Sequence, residues 1–259
     1  MAFSPRSVAV EAVLSAGQLL RERLGRVGEI RFKGAVNLVT EADVASERLI
    51  LERIRSAFPE HAVLSEEVGA SEGATGSRYL WVVDPLDGTT NFAHGYPQFA
   101  VSIAFVIDGV TELGVVYQPV TDELFLAQRG AGAFRNGHRI RVSDEDTLLM
   151  ALLATGFPYD LERRKHALRH FAQFTTLARA IRRDGSAALD LCAVAAGRFD
   201  GFWEPDLAPW DTAAGALIVR EAGGTVTDYT GSPLTLESVS CVASNGKLHQ
   251  AMLDVLHAD

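Results

Sequence analysis

The chain has 259 residues, of which 47% are hydrophobic and 22% charged, as in a globular protein with one large domain or two closely joined lobes. Its formal net charge of −9 argues against a broad nucleic-acid-binding surface, which would be basic. Cys192 and Cys241 lie in apolar surroundings, residues 1–6 lack the order of a signal peptide, and no apolar run approaches membrane-spanning length. We therefore expect a cytoplasmic protein with buried thiols and no membrane partner.

The N-terminal part predicts two helices. The first begins at Ser4-Pro5, a typical N-cap followed by proline at the first helical position. Its apolar residues recur at helical spacing at Val13, Ala16, Leu20 and Leu24. The second runs from about Thr40 to Pro59, with a buried face predicted at Val44, Leu49, Ile54 and Ala57. Residues 33–38 between them are expected to form a loop or short ribbon.

The middle of the chain predicts antiparallel strands at 100–107, 110–117, 124–127 and 140–142, with turns at Asp108-Gly109 and Asn136-Gly137. After a polar run at 143–146, strands are predicted at 148–154, 199–203 and 239–243. Helices are predicted at 162–180, 186–196, 212–222 and 246–256. This order predicts a layered α/β (α+β) fold. Its N-terminal lobe (about 1–145) would hold an antiparallel sheet and its C-terminal lobe (about 146–259) a mixed sheet.

Two carboxylates are expected at the end of a buried strand at 79–83. The segment that follows this strand reads Asp84-Pro85-Leu86-Asp87-Gly88-Thr89-Thr90-Asn91. Pro85 lacks an N–H and is expected to end the strand, and Gly88 permits a turn. Asp-Gly alone is a common hairpin signal, but a hairpin needs neither the second Asp, nor the proline, nor the two threonines. Carboxylates beside hydroxyl and N–H donors suit a site for magnesium and phosphate.

Five other places could carry chemistry, and each has a plainer alternative. Glu66 follows the apolar run 62–64, although a solvated loop is the favoured reading of that segment alone. Asp211 precedes a helix and could simply be its N-cap. Asp43 fits a capping box. Residues 185–188 open a helix with small residues, which suits either an anion or an ordinary cap by Ser186. Glu204 could bind a polar substrate or be a solvated acid.

The segments Asp84–Asn91 and Trp210–Gly215 together resemble the motifs of the inositol monophosphatase family, a lithium-sensitive, magnesium-dependent phosphatase superfamily. The resemblance covers almost the full length, and residues 182–224 look especially like bacterial inositol-1-monophosphatases. It implies one domain over 1–259 in alternating αβαβα layers, hydrolase activity on phosphate monoesters and, by analogy, a homodimer.

The resemblance also implies the metal ligands. Glu66, Asp84 and the backbone carbonyl of Leu86 would hold one Mg²⁺. A second would be held by Asp84, Asp87 and Asp211, and Glu66 would help to place a third, weaker ion. Position 37, in the segment that begins near Lys33, is Asn where some members of the family carry Asp. This departure affects the expected affinity for the third ion and not the core site.

The remaining roles follow from the same resemblance. Thr89, supported by Asp43, would position or deprotonate the attacking water, so that Thr89, Asp43 and Glu66 are the implied catalytic residues. The N–H groups of Gly88 and Thr89 would hold the phosphate. The alcohol part of the substrate would be contacted by Gly185, Ser186, Ala187, Glu204 and Asp211.

The expected substrate is myo-inositol 1-phosphate or a similar polyol phosphate. Glu204 favours it, because an acid can accept hydrogen bonds from ring hydroxyls and disfavours a second phosphate nearby. Histidinol phosphate, fructose 1,6-bisphosphate and a 3′-phosphonucleotide remain alternatives. A binding function, in addition to or instead of catalysis, is also open, since some bacterial relatives bind transcription machinery. The acidic balance argues against direct RNA binding but allows a basic protein partner.

Overall fold

The computed structural model describes residues 3–26, 30–32, 38–70 and 77–258. Lys33 and Asn37, named above for the third ion, lie outside the described residues. The helices are α1 (Pro5–Arg23), α2 (Glu41–Ala57), α3 (Thr89–Ala93), α4 (Leu161–Leu177), α5 (Ala187–Ala195), α6 (Pro209–Glu221) and α7 (His249–His257). The strands are β1 (Ile30–Phe32), β2 (Leu38–Thr40), β3 (Ala62–Ser65), β4 (Gly69–Ala70), β5 (Tyr79–Asp87), β6 (Ala100–Ile107), β7 (Val110–Gln118), β8 (Glu123–Gln128), β9 (Gly132–Arg135), β10 (His138–Arg139), β11 (Leu152–Thr155), β12 (Ala180–Arg182), β13 (Gly201–Pro205), β14 (Thr225–Thr227) and β15 (Ser240–Ser244).

Two large sheets organise the described residues. The first has eight strands in the order β10-β9-β8-β7-β6-β5-β3-β4, and the second has five in the order β12-β11-β13-β15-β14. Most pairs of the larger sheet are antiparallel, as predicted, but β3 and β5 run parallel. The smaller sheet is mixed, because β11 pairs in parallel with β12 and β13 while β15 is antiparallel to β13 and β14. The division into lobes at about residue 145 stays a prediction.

The elements stack in layers with three apolar cores between them. One core joins α1 and α2 to one face of the larger sheet. The second joins α5 and α6 to both sheets, and the third joins α4 and α7 to the outer face of the smaller sheet. The layered α/β fold is therefore confirmed. Within the described residues, no helix is both long enough and apolar enough to cross a membrane.

Some predicted elements were wrong in detail. Residues 140–142 form no strand; the hairpin at the Asn136-Gly137 turn is made by the short β9 and β10 instead. Residues 148–150 form a 3₁₀ turn before β11, and the strand β14 was not predicted. The helix predicted at 162–180 ends at Leu177, and residues 180–182 form β12. Each error concerns an element of two to four residues, too short to establish a period.

The buried face of α2 differs from the predicted one. Val44 is 54% exposed, whereas Asp43, Ser46 and Glu47 are buried. An apolar pattern predicts that polar residues face solvent. Here they face inward, because Asp43 is hydrogen-bonded to Thr89, Ser46 to Pro85 and Glu47 to Ser65. This inward polar face is the first sign of a functional site.

Candidate active site

Asp84 and Asp87 both lie on β5, at the end of the strand that borders α5 and α6. Pro85 does not end the strand, contrary to the prediction, since β5 continues to Asp87 with an irregular register. Asp84 pairs with Ser102 and Asp87 with Ala100, so one extra residue bulges out of β5. The bulge is fixed by the N–H of Leu86, which donates to Asp84 Oδ1 (3.0 Å).

The N-terminus of α5 binds the carboxylate of Asp87. Ser186 Oγ and the N–H of Ala188 both donate to Asp87 Oδ2, at 2.5 and 2.8 Å. Small residues at this helix start predicted an anion site, and in the structure the anion is an acid of the chain itself. Ser186 also caps the helix, since its Oγ accepts from the N–H of Leu189. The cap by Ser186 is therefore confirmed, and a ligand anion at this helix start stays a prediction.

Asp211 comes from α6, a third segment. It is not the N-cap, as the plainer alternative had it, because Ala208 occupies that position and Asp211 is the third helical residue. Its Oδ2 accepts from the N–H of Ala208 (2.6 Å). This bond uses one carboxylate oxygen and fixes the side chain at the start of the helix.

Thr89 and Asp43 are in direct contact. Thr89 Oγ1 lies 2.8 Å from Asp43 Oδ1 and 3.0 Å from the carbonyl oxygen of Leu86. The other oxygen of Asp43 accepts from the N–H and Oγ1 of Thr40, which forms the predicted capping box of α2. Gly88 makes the turn before Thr89 with φ of 91°, and a Cβ there would meet Gln98 O at 2.9 Å. Glycine is therefore required by both the backbone angle and the close approach.

Two residues of α2 that sequence reasoning missed form hydrogen bonds to the segments that carry the acids. Ser46 Oγ donates to the carbonyl oxygen of Pro85 (2.7 Å) at the bulge of β5. Glu47 Oε1 accepts from Ser65 Oγ and from the N–H groups of Glu67 (3.2 Å) and Val68 (3.1 Å). Ser65 and Glu67 flank Glu66 in the chain, so Glu47 shapes the loop that carries Glu66.

The acids of the site raise one another's pKa values. Burial raises the pKa of Asp84 well above its usual range, and the charges of Glu66, Asp87 and Asp211 raise it further. Burial likewise raises the pKa of Asp211 well above its usual range, with Asp87 the next cause. The pKa of Asp87 rises only to about 6, because the hydrogen bonds from Ser186 and Ala188 oppose the effect of burial. Four acids from three segments therefore interact electrostatically.

The donor chemistry of this cluster fits a divalent cation. Buried carboxylates that repel one another are costly unless a positive charge compensates them, and carboxylate oxygens are the ligands that Mg²⁺ prefers. The arrangement of the side chains around an ion is a separate criterion. Within residues 3–26, 30–32, 38–70 and 77–258, no three or more His, Cys, Asp or Glu side chains are arranged so that they could hold an ion. The predicted ligand set therefore stays a prediction.

A pocket opens beside Asp87 and Asp211. Glu204 on β13 lines it, and burial raises the pKa of this side chain to about 8. A Cβ on Gly156 would lie 1.9 Å from Glu204 Oε1, so the absence of a side chain at residue 156 makes room for the carboxylate. The pocket is also lined by Gly88, Arg183, Gly185, Ser186, Ala187 and Asp190. All five residues predicted to contact the alcohol part of the substrate therefore line one pocket.

Asn91 and Asp190 are further residues that sequence reasoning did not select. Asn91 Nδ2 donates to the carbonyl oxygens of Gln98 and Asp184, at 2.7 Å each, and so ties the turn after β5 to the segment before α5. Its place in the Asp84–Asn91 motif was a usable signal. Asp190 is 1% exposed inside an apolar helix, and nothing in the sequence distinguishes it from a surface acid.

Comparison with known proteins gives matches over nearly the whole chain. Residues 4–258 match the sequence profile described as "Inositol monophosphatase family". The chain is 48% identical over 256 residues to "Nus factor SuhB" of Pseudomonas aeruginosa, which covers 96% of this chain and 94% of that protein. It is 47% identical over 253 residues to "Inositol-1-monophosphatase" of Synechocystis sp., covering 97% and 88%. Its fold matches the crystal structure of extragenic suppressor protein suhB from Bartonella henselae with a TM-score of 0.93 and 42% identity, over 97% of this chain and 98% of that one. The chain belongs to the inositol monophosphatase family.

Proposed function

We propose that the chain is a Mg²⁺-dependent phosphomonoesterase that hydrolyses myo-inositol 1-phosphate or a similar polyol phosphate. The observation that carries the proposal is the electrostatic interaction among four acids: the charges of Glu66, Asp87 and Asp211 each raise the pKa of Asp84, and Asp87 and Asp211 line one pocket. Two carboxylates about 4 Å apart repel by roughly 4 kcal/mol at an effective dielectric of 20. Without cations such a cluster would also repel a phosphate dianion.

The residues that would hold the ions follow from the family. Glu66, Asp84 and the carbonyl of Leu86 would hold one Mg²⁺, and Asp84, Asp87 and Asp211 a second; a third, weaker ion would involve Glu66. Bound Mg²⁺ lowers the pKa of a coordinated water and neutralises charge on phosphoryl oxygens.

The chain's own groups then have positioning roles. Thr89 Oγ1, fixed between Asp43 Oδ1 and the carbonyl of Leu86, would orient the attacking water and pass its proton toward Asp43. The N–H groups of Gly88 and Thr89 would hold the phosphate. Attack by water in line with the leaving alcohol needs no covalent nucleophile, so positioning is the main task left to the protein.

The pocket supports a polyol as the leaving alcohol. Glu204 stands on its wall, and with a pKa of about 8 it would be protonated at neutral pH and able to donate as well as accept a hydrogen bond. Gly185, Ser186 and Ala187 line the same cavity. Histidinol phosphate, fructose 1,6-bisphosphate and a 3′-phosphonucleotide are the alternative substrates within this class.

A panel of phosphate esters, assayed with and without Mg²⁺ by release of free phosphate, tests the proposal. We expect hydrolysis only with Mg²⁺, highest kcat/KM for myo-inositol 1-phosphate, and inhibition by Li⁺. Rapid quenching should detect no phosphorylated enzyme. Equal hydrolysis in excess chelator would contradict the metal assignment, and a better rate with any alternative ester would reassign the substrate. Sedimentation of the pure protein tests the homodimer.

A second candidate function is binding to the transcription machinery. It is favoured by one observation, the 48% identity to a protein of Pseudomonas aeruginosa named a Nus factor. Co-elution of the purified chain with purified bacterial RNA polymerase would support it. Absence of co-elution, with the ester assay positive, would leave catalysis as the function.

A further inference from the structure

The pocket is lined by a carboxyl group, that of Asp190, to which the proposed function assigns no role. Asp190 lies in the first turns of α5, is 1% exposed and lines the cavity with Glu204. Its Oδ1 is buried and has no hydrogen-bond partner among the described residues. Buried side-chain oxygens in native proteins are nearly always paired, so an unpaired one beside a cavity points to a missing ligand.

The surroundings of Asp190 do not otherwise explain an acid at this position. Glu204, Asp184 and Asp87 all repel its charge, and Arg183 at the exposed edge of the pocket opposes them only in part. An acid near the N-terminus of a helix interacts favourably with the helix dipole, but an exposed acid gains this interaction as well, so it does not explain why Asp190 is buried.

We propose that Asp190 contacts the substrate and, together with Glu204, recognises the hydroxyl groups of a cyclic polyol. This inference rests on the proposed phosphatase function and narrows its substrate class. A polyol brings several hydroxyls, each able to donate and accept, and can satisfy both carboxyl groups at once. An ester with no hydroxyl on its alcohol part would leave Asp190 Oδ1 unpaired, so the site selects against it.

The test compares two substrates in the parent and in two variants. Asp190→Leu removes the hydrogen-bonding group, and Asp190→Asn keeps the size and polarity. The measured quantity is the ratio of kcat/KM for myo-inositol 1-phosphate to kcat/KM for p-nitrophenyl phosphate. We expect Asp190→Leu to lower this ratio about 10- to 100-fold, mainly through KM of the inositol ester, with a smaller loss in Asp190→Asn. Asp184→Asn, which removes a neighbouring charge outside the cavity lining, is the matched control and should leave the ratio unchanged.

Binding of myo-inositol itself, followed by calorimetry, gives a readout that does not require turnover. We expect heat of binding in the parent and none in Asp190→Leu. If both esters lose activity equally, or the ratio stays at the parental value in a folded variant, the inference is overturned and Oδ1 is satisfied by water alone. If Asp190→Leu does not fold, Asp190→Asn decides by the same ratio. If the parent hydrolyses neither ester but binds inositol through Asp190, the proposed function fails while the recognition role stands.

Discussion

Thr89 Oγ1 lies 2.8 Å from Asp43 Oδ1, and this contact joins α2 to the turn that follows the acids of β5. Both groups are buried, and Asp43 is held in place by two hydrogen bonds from Thr40. Burial raises the pKa of Asp43, which would favour the proton-accepting role proposed for it. The hydroxyl therefore has a fixed direction before any ligand binds.

We expect Thr89→Val to lower kcat for the best ester by about 10²- to 10⁴-fold, because the variant keeps the shape of threonine and loses the oriented hydroxyl. Thr89→Ser restores the hydroxyl and should recover most of the rate. Steady-state kinetics at saturating Mg²⁺ provide the measurement. A Thr89→Val variant as active as Thr89→Ser would remove Thr89 from the mechanism.

Asp87→Asn should keep the fold and remove nearly all Mg²⁺-dependent hydrolysis. The amide oxygen can still accept from Ser186 and Ala188, so the start of α5 stays in place while a charged ligand is lost. Circular dichroism checks the fold and phosphate release the activity. Asp108→Asn, in the distant turn after β6, is the control and should behave as the parent. Parental hydrolysis by Asp87→Asn would refute the predicted ligand set.

Glu47→Ala should weaken Mg²⁺ activation although Glu47 is not a predicted ligand. Its carboxylate fixes Ser65, Glu67 and Val68 around Glu66, and its removal takes from the buried hydroxyl of Ser65 its acceptor on α2. We expect a loss of about 1–3 kcal/mol in the free energy of unfolding and a higher Mg²⁺ concentration for half-maximal activity. Denaturant unfolding and a Mg²⁺ titration measure the two effects. An unchanged Mg²⁺ requirement would restrict Glu47 to a structural role.

The acids of β5 could be predicted from the sequence because they follow a long buried strand within a distinctive motif. Ser46, Glu47 and Asp190 could not, since a polar residue in a helix is ordinarily taken to face solvent and only tertiary contacts reverse this. The bulge at Pro85 is a similar case. Proline was expected to end the strand, yet an extra residue lets β5 continue to Asp87, which no local propensity encodes.

Gly156→Ala should act on substrate choice in the same way as Glu204→Ala. The added Cβ would lie 1.9 Å from Glu204 Oε1, so the carboxylate must shift from its present position on the pocket wall. We expect a fall in kcat/KM for myo-inositol 1-phosphate relative to p-nitrophenyl phosphate, with about 1–3 kcal/mol of destabilisation from overpacking. Combined with Glu204→Ala, the glycine substitution should have little further effect on the ratio. Additive losses would show that Gly156 acts through another group.

His249 should make stability depend on pH. It is buried between Thr227 Oγ1 (3.0 Å) and Ser244 Oγ (3.1 Å), and burial lowers its pKa below the usual 6.5. The unfolded chain therefore binds more protons than the folded one between that lowered pKa and about 6.5. The free energy of unfolding is greatest above this window and falls as the pH drops through it. We expect the difference in Tm between pH 7.5 and pH 5.5 to be smaller in His249→Gln than in the parent. The control is His138→Gln, which changes an exposed side chain and should leave this difference as in the parent. Equal differences in the parent and His249→Gln would mean that His249 does not contribute to acid sensitivity.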